Sequence, residues 1–317
     1  MGNDEDHIRK IGAVLNDENQ QLSERFRALF TLKNLGGTAA VECIGRSFSD
    51  SSALLKHESA YCLGQMQNKE AIPILTSVLR DVGQETIVRH EAGEALGAIG
   101  SPDCLEVLKE YEADSIQEIA ETCQLAIQRI QWLRSEDRAL EESKLRANPF
   151  SSVDPAPPAV ETGVEELRKT LVDPSRSLFE RYRAMFALRN RNDEESVIAL
   201  ADGLKCTDSA LFRHEIAYVL GQMQHEASIP HLRAQLAMAT EDPMVRHECA
   251  EALGSVAGPR SSEMLQGYLE DEERVVRESC IIALDMCEHE NSEEFQYANT
   301  LGKLEAETKT APKQIES

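Results

Sequence analysis

The chain repeats itself on two scales, and this repetition limits the folds open to it. Residues His57 to Gln67 (HESAYCLGQMQ) return 157 residues later as His214 to Gln224 (HEIAYVLGQMQ), identical at nine of eleven positions. A related stretch, Val88 to Gly97 (VRHEAGEALG), returns at the same separation as Val245 to Gly254 (VRHECAEALG). Within each half the two His-Glu pairs stand 33 residues apart, and 31 residues further on Glu121 and Glu278 occupy the histidine register. A period of 31–33 residues is too short for a domain but long enough for helix, turn and helix. Such a unit buries its apolar face only against its neighbours. The expected fold is therefore all-α: an alpha solenoid of eight helical hairpins in two pseudo-symmetric halves of four.

The units can be followed along the chain. Ile8, Ile11 and Leu15 open the first half at helical spacing, and Val164, Leu167 and Leu171 open the second. Pro73 and Pro230 sit where the first turn of a return helix tolerates them, and the Gly64-Gln65-Met66 segment and its copy read as turns. The expected organisation is an N-terminal half over 1–133, a linker over 134–163, a C-terminal half over 164–304 and a disordered tail over 305–317. The linker is charged at first, then rich in proline from Asn148 to Pro158, and reads as extended or disordered.

Charge narrows the partners. With 33 Lys and Arg against 56 Asp and Glu, the net charge of −23 disfavours nucleic acid and anionic membrane surfaces and attracts cations. The acidic opening Met1-Gly2-Asn3-Asp4-Glu5-Asp6 argues against a secretory or mitochondrial leader and against myristoylation. No apolar run approaches the roughly 18 to 20 residues needed to cross a bilayer, so a cytoplasmic protein is expected. The eight cysteines show no Cys-x-x-Cys spacing and read as reduced core thiols.

The four His-Glu pairs carry the chemistry. Equivalent helices of successive hairpins lie about 8 to 10 Å apart, so His57 and His90 can address one point, and His214 and His247 another. Two imidazoles and a carboxylate with open positions form the donor set of a non-haem iron oxygenase centre, and its duplication suggests two irons. Adjacent helical residues point about 100° apart, which makes it awkward for Glu58 to bind the same atom as His57; a glutamate from the opposite half is geometrically easier. The zinc-protease pattern His-Glu-x-x-His is absent, the continuations being His-Glu-x-x-Tyr and His-Glu-x-x-Glu. Tyr61 and Tyr218, four residues after a histidine on the same face, read as core residues or as pocket walls, and His7, His225, His231 and His289 have no counterpart in the other half.

This pattern, His-Glu at 57/58, 90/91, 214/215 and 247/248 in two halves of HEAT-like repeats joined by an acidic, proline-containing linker, resembles the deoxyhypusine hydroxylases over essentially the whole chain. The resemblance implies a di-iron monooxygenase that takes O2 and electrons from an external donor to hydroxylate the deoxyhypusine side chain of translation initiation factor five-A. It implies one iron held by His57, His90 and Glu215 and the other by His214, His247 and Glu58, with Glu91 and Glu248 close by as ligands or partners of ligands. Glu58 and Glu215 would also orient the substrate's ammonium groups, and the protein would act as a monomer. The competing expectation is a non-catalytic repeat scaffold or a phycobilin-lyase-like protein, which share the Ala-x-x-Ala-Leu-Gly grammar.

Overall fold

The computed structural model describes residues 2–136, 138–160, 163–292 and 296–304, and no strand occurs among them. In the first half the helices alternate between an outer and an inner layer: α1 (Gly2–Leu15), α2 (Leu22–Leu35), α3 (Thr38–Gly45), α4 (Ala53–Gln65), α5 (Ile72–Arg80), α6 (Thr86–Ile99), α7 (Leu105–Tyr111) and α8 (Gln117–Leu133). A short α9 (Arg138–Glu142) lies between the halves. The second half repeats the alternation with α10 (Val164–Val172), α11 (Leu178–Arg191), α12 (Glu194–Ala201), α13 (Ala210–Met223), α14 (Ile229–Leu236), α15 (Pro243–Val256), α16 (Pro259–Gln266) and α17 (Arg274–Glu290). Pro73 and Pro230 stand in the first turns of α5 and α14, as their spacing predicts. The tail expected to be disordered lies outside the described residues.

One arginine in the first turn of four inner helices ties the layers together. Arg25, Arg89, Arg181 and Arg246 each donate Nε to a carbonyl at the end of the preceding outer helix, Leu15, Leu79, Leu171 and Leu236, at 2.8–3.0 Å. These are carbonyls that a helix end leaves without an intrahelical partner. The same guanidinium groups pair with Asp50, Asp114, Asp208 and Asp271. The Arg246 hydrogen bond holds the Asp271 carboxyl below its ordinary range, so its stabilisation is present above the usual carboxylate pKa and is lost as pH falls through the folded value. Arg246→Ala is expected to cost about 1–3 kcal/mol, because it leaves the partly buried Asp271 carboxylate and the Leu236 carbonyl without their donor. In denaturant titrations the gap from the parent protein should shrink as pH drops below about 4.

The Ala-x-x-Ala-Leu-Gly grammar has a packing origin. A Cβ at Gly64 would lie 2.8 Å from the Cα of Ala95, and one at Gly254 would lie 2.7 Å from that of Ala283. Each glycine thus lets one inner helix seat against an alanine of the next. The expectation of turns at the Gly-Gln-Met segments is corrected: Gly64 and Gly221 lie inside α4 and α13, where close helix approach requires them.

The inner helices close on themselves at both junctions between halves. Ser52 caps α4 by accepting from the Leu55 amide and donates to Glu278 at 2.7 Å. In the pseudo-symmetric place Ser209 caps α13 and donates to Glu121 at 2.6 Å. The glutamates that replace histidine in the outer units therefore clasp the opposite half. Arg27 adds a bidentate pair with Asp285 at 3.1 Å.

The segment expected to be loose is held as a strap. Asp154 pairs with the fully buried Arg189 at 2.6 Å, its carbonyl accepts from Arg129 at 2.7 Å, and the Val153 backbone exchanges two hydrogen bonds with Gln65 at 2.9 and 3.1 Å. Two arginines that the halves bury near each other draw in the carboxylate that proline-rich composition alone does not reveal. The eight cysteines are free thiols, all but Cys206 buried, as expected.

Candidate metal centre

Helices α4, α6, α13 and α15 bring all eight sequence-predicted residues to the middle of the ring. His57, Glu58, His90, Glu91, His214, Glu215, His247 and Glu248 are 0–8% exposed. The imidazoles of the two halves meet: ring centroids lie 5.5 Å apart for His57 and His90, 5.3 Å for His214 and His247, and 5.8 Å for His57 and His214 across the halves.

The carboxylates are arranged differently from the sets the resemblance implies. Glu91 Oε2 lies 3.3 Å from His57 Nε2, and Glu248 Oε2 lies 3.3 Å from His214 Nε2. Donor atoms of His57, His90 and Glu91 fall within 4.8 Å of one another, as do those of His57, His214 and His247, and of His247, Glu248 and Glu251. Among the described residues, neither Glu58 nor Glu215 joins such a group. The 100° step from His90 to Glu91 turns that carboxylate toward the neighbouring parallel helix, where His57 stands. Glu58 lies against His57 Nδ1 at 3.3 Å.

The opposite half nevertheless contributes to each cluster electrostatically. Burial, then Glu94 and Glu91, raise the Glu215 carboxyl well above its usual range. Burial, then Glu58, push Glu248 up to about 8. Burial opposes protonation of His57, but contacts with Glu58 and Glu91 outweigh it and raise its pKa. Burial and neighbouring imidazoles lower His90 and His247, and the same causes take His214 to about 3.

These residues fit a metal. Both nitrogens of His90, Nδ1 of His214, Nε2 of His247 and Oε1 of Glu215 are buried without a hydrogen-bond partner, while both nitrogens of His57 and Nε2 of His214 face carboxylates at 3.3 Å. Orphaned polar atoms of this kind are costly, and a cation among them would satisfy lone pairs and carboxylate charge together. Metal uptake should displace the protons that Glu248 holds below about pH 8. Metal affinity measured by competition with a chelator is accordingly expected to strengthen as pH rises from about 6 to about 8. In the stripped protein the raised carboxyls work the other way: the folded chain binds more protons than the unfolded one, so stability falls over that range.

The centre opens into a cavity of ≈ 570 Å³ lined by Glu58, Glu91, Glu94, Glu215, Glu248 and Glu251, with Tyr61, Tyr218 and His289 among its further walls. Tyr61 and Tyr218 take the pocket-wall role rather than the core one, facing each other across the halves with hydroxyls 2.9 Å apart, and Gln222 donates to Tyr218 at 3.0 Å. Glu94 and Glu251 escaped the reading of the sequence. Their signal was present in the His-Glu-x-x-Glu continuation, which puts each one helical turn after a histidine. Glu251 lies 3.6 Å from His247 Nδ1 and accepts from Ser279 at 2.9 Å.

Fold and site together define a helical-repeat protein built around a duplicated histidine–carboxylate centre. The HEAT repeats family matches residues 47–128 and 234–285, and the PBS lyase HEAT-like repeat matches 212–237. Human deoxyhypusine hydroxylase is 59% identical over 300 residues, covering 95% of this chain and 97% of that protein. The Drosophila melanogaster deoxyhypusine hydroxylase is 57% identical, covering 94% and 97%. The solved structure of the human hydroxylase in complex with glycerol aligns with a TM-score of 0.86 over 91% of this chain and 98% of that one. The chain belongs to the deoxyhypusine hydroxylase family and is an enzyme of hypusine formation. The scaffold and lyase alternatives are set aside. No helix among the described residues is long and apolar enough to cross a membrane.

Proposed function

We propose that the chain is a di-iron, O2-dependent monooxygenase that hydroxylates the deoxyhypusine side chain of translation initiation factor five-A. The observation that carries this reading is the meeting of four buried imidazoles from two duplicated halves, with four of their eight ring nitrogens lacking a hydrogen-bond partner and three more facing carboxylates at 3.3 Å. His57, His90 and Glu91 would hold one ion, and His214, His247 and Glu248 the other. Iron bound there supplies the redox and O2 chemistry that cleavage of an aliphatic C–H bond requires and that amino-acid side chains lack. In the overall balance one oxygen atom enters the C–H bond and the other leaves as water, with two electrons from an external donor and two protons from solvent.

The chain's own residues do the rest. Glu58 and Glu215 accept charge-assisted hydrogen bonds from the substrate's ammonium groups and fix which carbon faces the centre. The Tyr61–Tyr218 pair walls the cavity, and the closed inner ring excludes bulk water. The net charge of −23 suits a basic protein substrate. We assign the protein to the cytoplasm as a monomer.

Incubation of the iron-loaded protein with a deoxyhypusine-bearing substrate, a reductant and isotopically labelled O2 should add one labelled oxygen atom, read by mass spectrometry. Equal turnover after iron removal would refute the reading.

A further inference from the structure

The halves are pseudo-equivalent, but their two sides of the cavity are not. On one side the strap lies over the inner helices: Phe150 packs 5.1 Å from the Arg189 guanidinium, and Pro155 closes on Glu94 and Arg129 over a crevice with no room for a water molecule. On the other side the described residues 296–298 line the cavity. There Met286 stands where the strapped side has Arg129, and Phe30 where it has Phe186. Tyr297 stands edgewise to Phe30 at 6.2 Å and to His289 at 5.4 Å, with the Arg27 guanidinium 4.4 Å from its ring centre. This pinned aromatic, with Phe30 and Met286, rims the cavity above Glu58, Glu248 and Glu251.

We infer that the substrate side chain enters past an apolar collar of Phe30, Met286 and Tyr297, and that this collar determines specificity for a long aliphatic amine. The inference rests on the proposed hydroxylase activity. An apolar rim over a floor of carboxylates matches a chain whose methylenes gain from burial and whose amines gain from ion pairing. It rejects short or anionic side chains, which would leave the floor unpaired or add like charge. Arg129 and Arg189 anchor Asp154 on the strapped side, whereas Met286 stands at the Arg129 register on the other.

The test uses the full-length, iron-loaded protein with a peptide bearing the N-(4-aminobutyl)lysine side chain. Met286→Arg places in the open mouth the charge that its counterpart Arg129 has, and Ser255→Trp narrows the same mouth from α15. Each is expected to raise KM at least about tenfold, through repulsion or occlusion, while kcat at saturation and iron content stay within about twofold. Met286→Leu should keep the parental KM. If Met286→Arg does not fold, Ser255→Trp decides. A parent protein that fails to convert the peptide refutes the activity rather than the entrance. A working parent whose folded blocking variants retain KM within about twofold overturns the collar.

Discussion

His247→Ala is expected to abolish turnover and to remove most of the iron from the second-half site. Its ring is fully buried, its Nε2 has no protein partner, and its donor atoms fall within reach of both Glu248 and His57. Loss of an outer partner of a ligand costs about 10–100-fold in metal affinity, and loss of the ligand itself more. The effect should cross the halves, because His57 and His247 rings lie 5.2 Å apart. Iron in the first-half site should therefore also bind more weakly. Elemental analysis after buffer exchange reads both effects. Retention of two irons by the folded variant would show that His247 is not a ligand.

Glu91→Ala and Glu215→Gln are expected to fail in different ways, although both carboxylates are buried in one cluster. Glu91 lies 3.3 Å from His57 Nε2 and shares a donor group with His57 and His90, so its loss should take about one iron per chain and the activity with it. Glu215 joins no such group, and its unpartnered Oε1 lines the cavity. Glu215→Gln should keep its iron but bind the substrate's ammonium group poorly, losing at least about 1.5–3 kcal/mol of a charged hydrogen bond, or about 10–100-fold in kcat/KM. Iron content beside peptide binding separates the two. A reversed pattern would restore the cross-half ligand sets that the resemblance implies.

Much of this architecture is legible in residue spacing. The repeat period implies stacked helices, and the four recurring His-Glu pairs locate the centre because the duplication preserves both residue type and register. What spacing cannot express is the angle between side chains on neighbouring helices. That angle decides that Glu91, rather than Glu215, faces His57. Glu94 and Glu251 stand one helical turn after His90 and His247 in the His-Glu-x-x-Glu continuation, a spacing that exposed surface glutamates share, so only their burial against the centre marks them. The strap was obscured for another reason: its composition resembles a loose linker, and only the burial of Arg129 and Arg189 in the folded halves gives Asp154 a place to bind. Likewise Glu121 and Glu278 look like lost histidines until the ring closes and each meets a helix-capping serine.

The most direct test of a shared centre is the metal content of the protein purified with iron present, measured together with turnover on the deoxyhypusine peptide. About two irons per chain, both required for hydroxylation, are expected. A protein that hydroxylates the peptide without bound metal, or that binds a single ion with all four histidines dispensable, would contradict the meeting of the two halves around a pair of irons.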